Sequence, residues 1–327
     1  MSVHKGVAVS RVVAFLAMTC TAPGLTISAQ AGQAKTTPAD CDRACLGAVL
    51  DSYFGTIAKR DPSMLPVAGN VRFTENGREL KFGQGLWQRG GPASYRMDAI
   101  DAVTGQAASN AVILENGKNA ILFVRLKVDK KKVTEVETTI VRPGEGQRSD
   151  PEALSQVTST PYKDVIPPGR RDTRERLVSA ADAYFIGLET SGTDQYKAPP
   201  AADDARRVEN GAGARNVGAP RVPLVEQLRR GFGGAKLFVS DRRYPVVDEE
   251  HGIVLAIGLM HVNPPAGVSD GPPGHVTDKP SRVQILVEFF KIAGGQIHQI
   301  QASMLDLDDP SNATVGITDT GWTARTP

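Results

Sequence analysis

The chain has 327 residues, of which 40% are hydrophobic and 23% charged, with a formal net charge of +2. This is the composition of a soluble globular protein, long enough for two domains of ordinary size. The charge is too small to suggest nucleic-acid binding, and the run Lys130-Lys131-Lys132 reads as a solvated hairpin turn.

The first segment reads as a secretory signal over residues 1–31. His4, Lys5 and Arg11 precede the apolar stretch Val12 to Met18, and Ala29-Gln30-Ala31 offers a small-x-small cleavage site. The apolar stretch is too short to span a bilayer, so the expectation is an exported protein, periplasmic or secreted, with no stable membrane insertion. Lipidation at Cys20 is the alternative, but Ala17, Met18 and Thr19 fit a lipobox poorly. Residues 32–40 form a polar lead. Cleavage leaves Cys41 and Cys45, four apart at the start of a helix. In an oxidising compartment a disulfide is the favoured reading. A metal site would need more ligands, and a redox pair normally has a shorter spacing.

A first domain is expected over 41–142. It opens with a helix at 41–59 that stops before Asp61-Pro62, then a short helix from Ser63 to Ala68. Short strands flank the turn Asn76-Gly77, and Leu86 and Trp87 sit on a helical connection. Four longer strands follow at about 95–103, 107–115, 119–128 and 133–141. Residues 143–171, rich in Gly, Pro and charge, read as a linker. A second domain over 172–305 repeats the order: a helix at 173–190, short strands around Asn210-Gly211, a helix from Val222 to Arg230, and strands near 236–247, 253–262, 282–291 and 296–304. The insertion Asn263 to Pro280 reads as a flap or loop. A polar tail occupies 306–327.

The two domains say the same thing twice. Leu46, Val49, Leu50, Tyr53, Phe54 and Ile57 recur at identical spacing as Leu177, Ala180, Ala181, Tyr184, Phe185 and Leu188, each set one apolar helix face. Each helix carries Asp-x-Tyr-Phe. Each is followed by a related element, Arg72-Phe73-Thr74-Glu75-Asn76-Gly77 and Arg206-Arg207-Val208-Glu209-Asn210-Gly211. The closing strands also match: Lys127-Val128 with Val133-x-x-Val136, and Lys291-Ile292 with Ile297-x-x-Ile300.

On these motifs the chain resembles a tandem NTF2-like (SnoaL-like) protein. The resemblance implies an α+β fold of two cone domains, each a long N-terminal helix packed on a curved, mostly antiparallel sheet. The first domain also resembles an uncharacterised family of secreted bacterial and fungal proteins, through Cys41-Asp42-Arg43-Ala44-Cys45, the Arg-Phe-Thr-Glu-Asn-Gly stretch and Gly83-Gln84-Gly85-Leu86-Trp87. A cone of this kind is largely apolar with a few convergent polar groups. Related domains isomerise, dehydrate, cyclise or merely bind, so the fold does not choose among them.

Five residues are candidates for chemistry. Glu75 and Glu209 stand at equal places before Asn-Gly, 22 residues after Tyr53 and 25 after Tyr184. The resemblance implies that a steroid-isomerase base would fall in this element. A carboxylate in an apolar cone could move a proton near neutral pH, but each also reads as a turn-stabilising residue. Tyr53 and Tyr184 could donate to an oxyanion or be core aromatics. His261 shares a strand face with Ile253, Leu255, Ile257 and Leu259, and is either a satisfied core residue or an acid/base. Asp101 and Asp248 pair across the repeats and read as turn residues. No cofactor is implied, and the spacing of His251, His275 and His298 gives no support to a metal. The expectation is a small-molecule binder for a largely apolar ligand. The alternative is a cofactor-free lyase, dehydratase or isomerase. The tandem copies are expected to pair through their sheets as a pseudo-dimeric monomer.

Overall fold

The structure is a computed structural model, and the residues it describes are 40–144, 149–156, 160–212, 222–263 and 282–307. The expected signal, most of the expected insertion and nearly all of the tail lie outside the described residues. The first half runs α1 (Arg43–Lys59), β1 (Val67–Glu75), β2 (Arg78–Leu80), α2 (Leu86–Arg89), β3 (Gly90–Asp101), β4 (Gln106–Glu115), β5 (Lys118–Asp129) and β6 (Lys132–Val141). Short helices α3 (Pro151–Gln156) and α4 (Thr160–Lys163) connect it to the second half. That half runs α5 (Arg174–Glu189), β7 (Ala201–Glu209), α6 (Leu224–Arg230), β8 (Lys236–Asp248), β9 (Ile253–Asn263), β10 (Arg282–Ala293) and β11 (Gln296–Asp306).

Local chemistry sets the ends of these elements. Asp42 caps α1 by accepting from the Cys45 N–H, and Arg60 ends it in the left-handed region. The Cys41–Cys45 disulfide bridges that first turn, with Cα atoms 5.2 Å apart. Thr173 caps α5 by accepting from the Arg176 N–H. The expected helix from Ser63 to Ala68 does not form. A single 3₁₀ turn, Pro62–Met64, is followed by extended Leu65, because Pro66 disfavours helical backbone at the residue before it. β1 then starts at Val67 and pairs parallel with β6. Just after Asn210-Gly211, Ala212 forms an isolated bridge with Glu209, and the segment that follows to residue 221 lies outside the described residues.

Each half is a mixed sheet with a helix on one face. The first sheet has the order β2-β1-β6-β5-β4-β3 and the second β7-β11-β10-β9-β8. Parallel pairing occurs at β1 with β6 and at β7 with β11. Strand alternation gives each sheet two buried faces. One face of the first sheet joins Leu46, Leu50, Tyr53 and Ile57 of α1 in a core that includes Trp87 and Val124. One face of the second joins Leu177, Ala181, Tyr184 and Leu188 of α5 in a core with Phe290 and Ile300. The remaining faces meet each other: Met97, Val112 and Phe123 share a core with Leu255, Ile257 and Phe289. The layers are helix, sheet, sheet, helix.

The segment read as a linker contributes to this middle core. Ala153, Leu154 and Tyr162 are buried in it, and the Tyr162 hydroxyl donates to the Phe289 carbonyl at 3.0 Å. The paired aspartates also reach across the seam. Asp101 accepts from the Val247 N–H at 3.0 Å and from Arg174 at 2.7 Å. Asp248 accepts from the Ile100 N–H at 3.0 Å and from Arg43 at 2.8 Å. Asp101 does hold its own turn, through the Val103 and Thr104 N–H groups. Its other contacts make it half of a reciprocal clamp with pseudo-two-fold symmetry.

The Asp-x-Tyr-Phe motif has a common physical basis in both helices. Arg96 of β3 donates to Asp51 at 2.8 Å and lies 4.3 Å over the Phe54 ring. Arg242 of β8 donates to Asp182 at 3.0 Å and lies 5.4 Å over Phe185. Carboxylate and ring together hold one guanidinium from the first long strand. The tyrosine of the motif faces the cone.

Candidate functional site

The two cones differ in what fills them. In the first, Trp87 packs edge-on against Tyr53 at 5.5 Å and Phe73 at 5.0 Å, and against Phe82 at 4.7 Å. Its indole N–H donates to Thr56 at 3.0 Å. Glu75 is buried, accepting from the Leu86 N–H at 2.7 Å and from Arg89 at 3.1 Å, with Arg142 at 3.4 Å. Glu115 accepts from the same two arginines, Arg89 at 2.9 Å and Arg142 at 2.6 Å. Gly85, at positive φ, leaves the space through which the Glu75 carboxylate reaches α2. Glu75 is therefore coordinated as a helix cap within an ion-pair network. The hydroxyls of Tyr53 and Ser109 are buried in this cone without a hydrogen-bond partner among the described residues.

The second cone holds charge at its centre. Arg207 donates to the Tyr184 hydroxyl at 3.0 Å and pairs with Glu209 at 3.0 Å. The Phe232 ring lies 5.5 Å from the guanidinium. Beside them Glu288 is 2% exposed. Its Oε2 is buried and has no hydrogen-bond partner among the described residues. Burial pushes the Glu288 carboxyl up from an ordinary 4.5 to about 8, against the pull of Arg207 and with the help of Glu209. Burial likewise raises the Tyr184 phenol far above its ordinary range, so it keeps its proton. With its oxygen accepting from Arg207, that proton is free to be donated.

Strand register shows what changed between the copies. Phe73 pairs with Val136, and Arg207 pairs with Ile300 at the matching place. Glu75 pairs with Thr138 and Glu209 with Ala302. Val124 pairs with Thr138 and Glu288 with Ala302. The second cone thus has Arg207, Glu288 and Ala302 where the first has Phe73, Val124 and Thr138. Glu209, Ala302 and Glu288 lie in one row across three strands, the two carboxylates flanking the smallest side chain.

Of the residues singled out from sequence, Tyr184 and Glu209 come together on Arg207, while Tyr53 and Glu75 belong to the packed first cone. His261 does not join them. It lies on the strand face opposite Met260, towards the sheet–sheet seam, bonded to Ser240 at 2.9 Å with Phe238 at 5.7 Å. Arg207 and Glu288 were not singled out as site residues. The available signal was the lone carboxylate in Ile285-Leu286-Val287-Glu288-Phe289-Phe290, which the Lys127/Lys291 match sets opposite Val124.

Among the described residues, two surface clefts lie outside both cones. One, of about 540 Å³, is lined by Asn70, Arg72, Lys127 and Glu135. The other, of about 450 Å³, is lined by Arg43, Arg96, Tyr162 and His251. Arg43, Arg96 and Lys127 are already paired with carboxylates. Among the described residues no group of His, Cys, Asp and Glu is arranged to hold a metal ion, and no helix is long and apolar enough to cross a membrane.

Residues 170–304 match a family model described as a domain of unknown function, DUF8021. No curated protein matches the chain. Similar solved structures include an NTF2-like protein of unknown function from Cytophaga hutchinsonii ATCC 33406, at 9% identity and TM-score 0.26, covering 33% of this chain and 93% of that one. A candidate polyketide cyclase from Xanthomonas campestris pv. campestris has 19% identity and TM-score 0.30, covering 40% of this chain and 90% of its own. A candidate ketosteroid isomerase from Kribbella flavida DSM 17836 has 16% identity and TM-score 0.26, covering 35% and 89%.

Proposed function

We propose that this is an exported protein whose second cone binds a small, largely apolar molecule, held at its polar end by Tyr184, Arg207 and Glu288. The observation that carries this is the unpartnered Glu288 oxygen, buried in an apolar wall at the place where the first cone has Val124. The fold does not need a carboxyl there, since the first copy is built without one. An unsatisfied buried polar group costs about 1–3 kcal/mol, a cost that a bound ligand can offset. The Cys41–Cys45 disulfide supports an oxidising, exported setting. The first cone, closed by Trp87 and the Glu75 network, serves as the structural copy. The sheet–sheet core supports a monomer that makes its dimer contact internally.

The test restores the first-cone residues in the second. Arg207→Phe with Glu288→Val should raise stability by about 1–3 kcal/mol in urea unfolding, because a buried guanidinium and an unpartnered buried carboxyl give way to apolar packing. The same protein should lose retention of apolar metabolites, steroids and phenolics from a mixed pool read by mass spectrometry. Undiminished retention by a stable double variant would overturn the reading.

A second reading is favoured by the position of the Glu288 equilibrium. A carboxyl that titrates near 8 can both give and take a proton at neutral pH, next to a phenol that can donate to a developing oxyanion. The protein would then be a cofactor-free isomerase, lyase or dehydratase. In the same pool, a compound replaced by one of equal mass, or by one lighter by water, would establish it. Glu288→Gln should abolish that conversion while keeping retention.

A further inference from the structure

We propose that the polar end of the bound molecule is a carboxylate, which displaces Glu209 from the Arg207 guanidinium. This rests on the reading of the second cone as a binding site. Among the described residues, Arg207 is the cationic side chain in the group formed with Tyr184, Glu209 and Glu288, and its own side chain is 11% exposed. A buried guanidinium requires an anion, and its planar fork matches a carboxylate better than any neutral oxygen. Its present carboxylate partner, Glu209, has a side chain 39% exposed and sits at the water end of the row. Releasing Glu209 to solvent therefore costs little, and the exchange keeps the buried charge balanced.

The rest of the row fits the same ligand. Ala302, between Glu209 and Glu288, carries a smaller side chain than Thr138, its counterpart in the first cone. Glu288 carries its proton at neutral pH and so faces an incoming carboxylate as a donor, not as a second negative charge. Tyr184 accepts from Arg207 at 3.0 Å and keeps its hydroxyl proton to donate. Arg207, Tyr184 and the protonated Glu288 thus supply three donor groups for one ligand head. A cationic amine would have to sit against Arg207, and a neutral alcohol would leave the guanidinium to Glu209. The two polar residues also occur together: Arg207 and Glu288 stand in the second cone where the first has Phe73 and Val124.

The test holds the apolar body constant and changes the head. The full chain is titrated with 4-phenylbutanoate, 4-phenylbutanamide, 4-phenylbutan-1-ol and 4-phenylbutan-1-amine, and with the decanoate, decanamide, decanol and decylamine set, by ligand-observed NMR at neutral pH. In each set the carboxylate should bind at least about tenfold more tightly than the other three. Glu209→Gln removes the competing carboxylate from a half-exposed position. It should strengthen carboxylate binding about tenfold and leave the alcohol unchanged, and Arg207→Phe should abolish the preference. Equal binding of all four heads, tighter binding of the amine, or no gain in Glu209→Gln would overturn the carboxylate assignment while leaving the cone as a binding site. Binding of none of the eight compounds would overturn both.

Discussion

Glu75 and Glu288 are both buried carboxyls on cone-facing strands, yet their surroundings give them opposite roles. Glu75 has a backbone N–H and two arginines within reach, so its oxygens are committed to holding α2 in place. Glu288 faces Arg207 and Glu209 on β7, Tyr184 on α5 and Tyr244 on β8, and one of its oxygens is unpartnered. Its folded equilibrium lies near 8 against an ordinary 4.5, so the folded chain holds this proton more tightly than the unfolded chain. The associated stability is fully present below about 4.5 and is lost progressively as pH rises through about 8. In urea titrations across that window, the wild type should lose up to about 4 kcal/mol relative to Glu288→Gln, which has no such proton. A flat difference would show that Glu288 is ionised in the folded protein at neutral pH. The sequence placed Glu75 and Glu209 at matching positions correctly, but it could not tell a capped carboxylate from a bare one. That distinction lies in Leu86, Arg89 and Arg142, whose approach to Glu75 no local pattern records.

Among the elements, the two Asp-x-Tyr-Phe helices were legible because a 3.6-residue period leaves a strong mark in sequence. The reason for the aspartate was not legible. Arg96 lies 45 residues after Asp51, and Arg242 lies 60 after Asp182, so the pairing exists only once the strands fold back. The two clamps should differ in worth. Asp51 has a side chain 73% exposed, so its ion pair is screened and Arg96 is held largely by Asp98 and the Phe54 ring. Arg242 bridges Asp182 and Glu189, both more enclosed, and Glu189 in turn accepts from the Val239 N–H at 3.0 Å. Arg96→Leu should cost about 1 kcal/mol and Arg242→Leu about 2 kcal/mol in chemical unfolding. Equal costs would mean that ring stacking, common to both, dominates. The 3₁₀ turn at Pro62–Met64 was misread as a helix because Ser63 to Ala68 contains helix formers whose preference Pro66 overrides.

At the scale of the molecule, the two halves are joined by an apolar seam and by the Asp101 and Asp248 clamps. The duplication of the unit was legible. The seam was anticipated only as sheet pairing, because composition does not mark which of two apolar strand faces meets a helix and which meets another sheet. Burial would by itself raise the Asp248 carboxyl, but hydrogen bonds from His251 and Arg43 hold it at about 2, below an ordinary 3.8. Its contribution is therefore present above about 3.8 and lost as pH falls through about 2. Asp248→Asn should remove that acid-side loss and cost about 1–3 kcal/mol at neutral pH. Because each aspartate accepts from the residue preceding the other, Asp101→Asn and Asp248→Asn should be coupled by at least about 0.5 kcal/mol in a double-mutant cycle. Strict additivity would mean that the clamps act as independent turns.

The reciprocal seam has a consequence for how a binding site can arise. In a dimer of identical chains, any substitution appears on both sides of the axis, so a charge placed in one cone burdens the other as well. When the same contact is made within one chain, the copies are free to diverge. Val124 and Phe73 can stay in one half while Glu288 and Arg207 stand in the other, so the cost of a buried guanidinium and an unpartnered carboxyl is carried once, against a partner that never has to bear it.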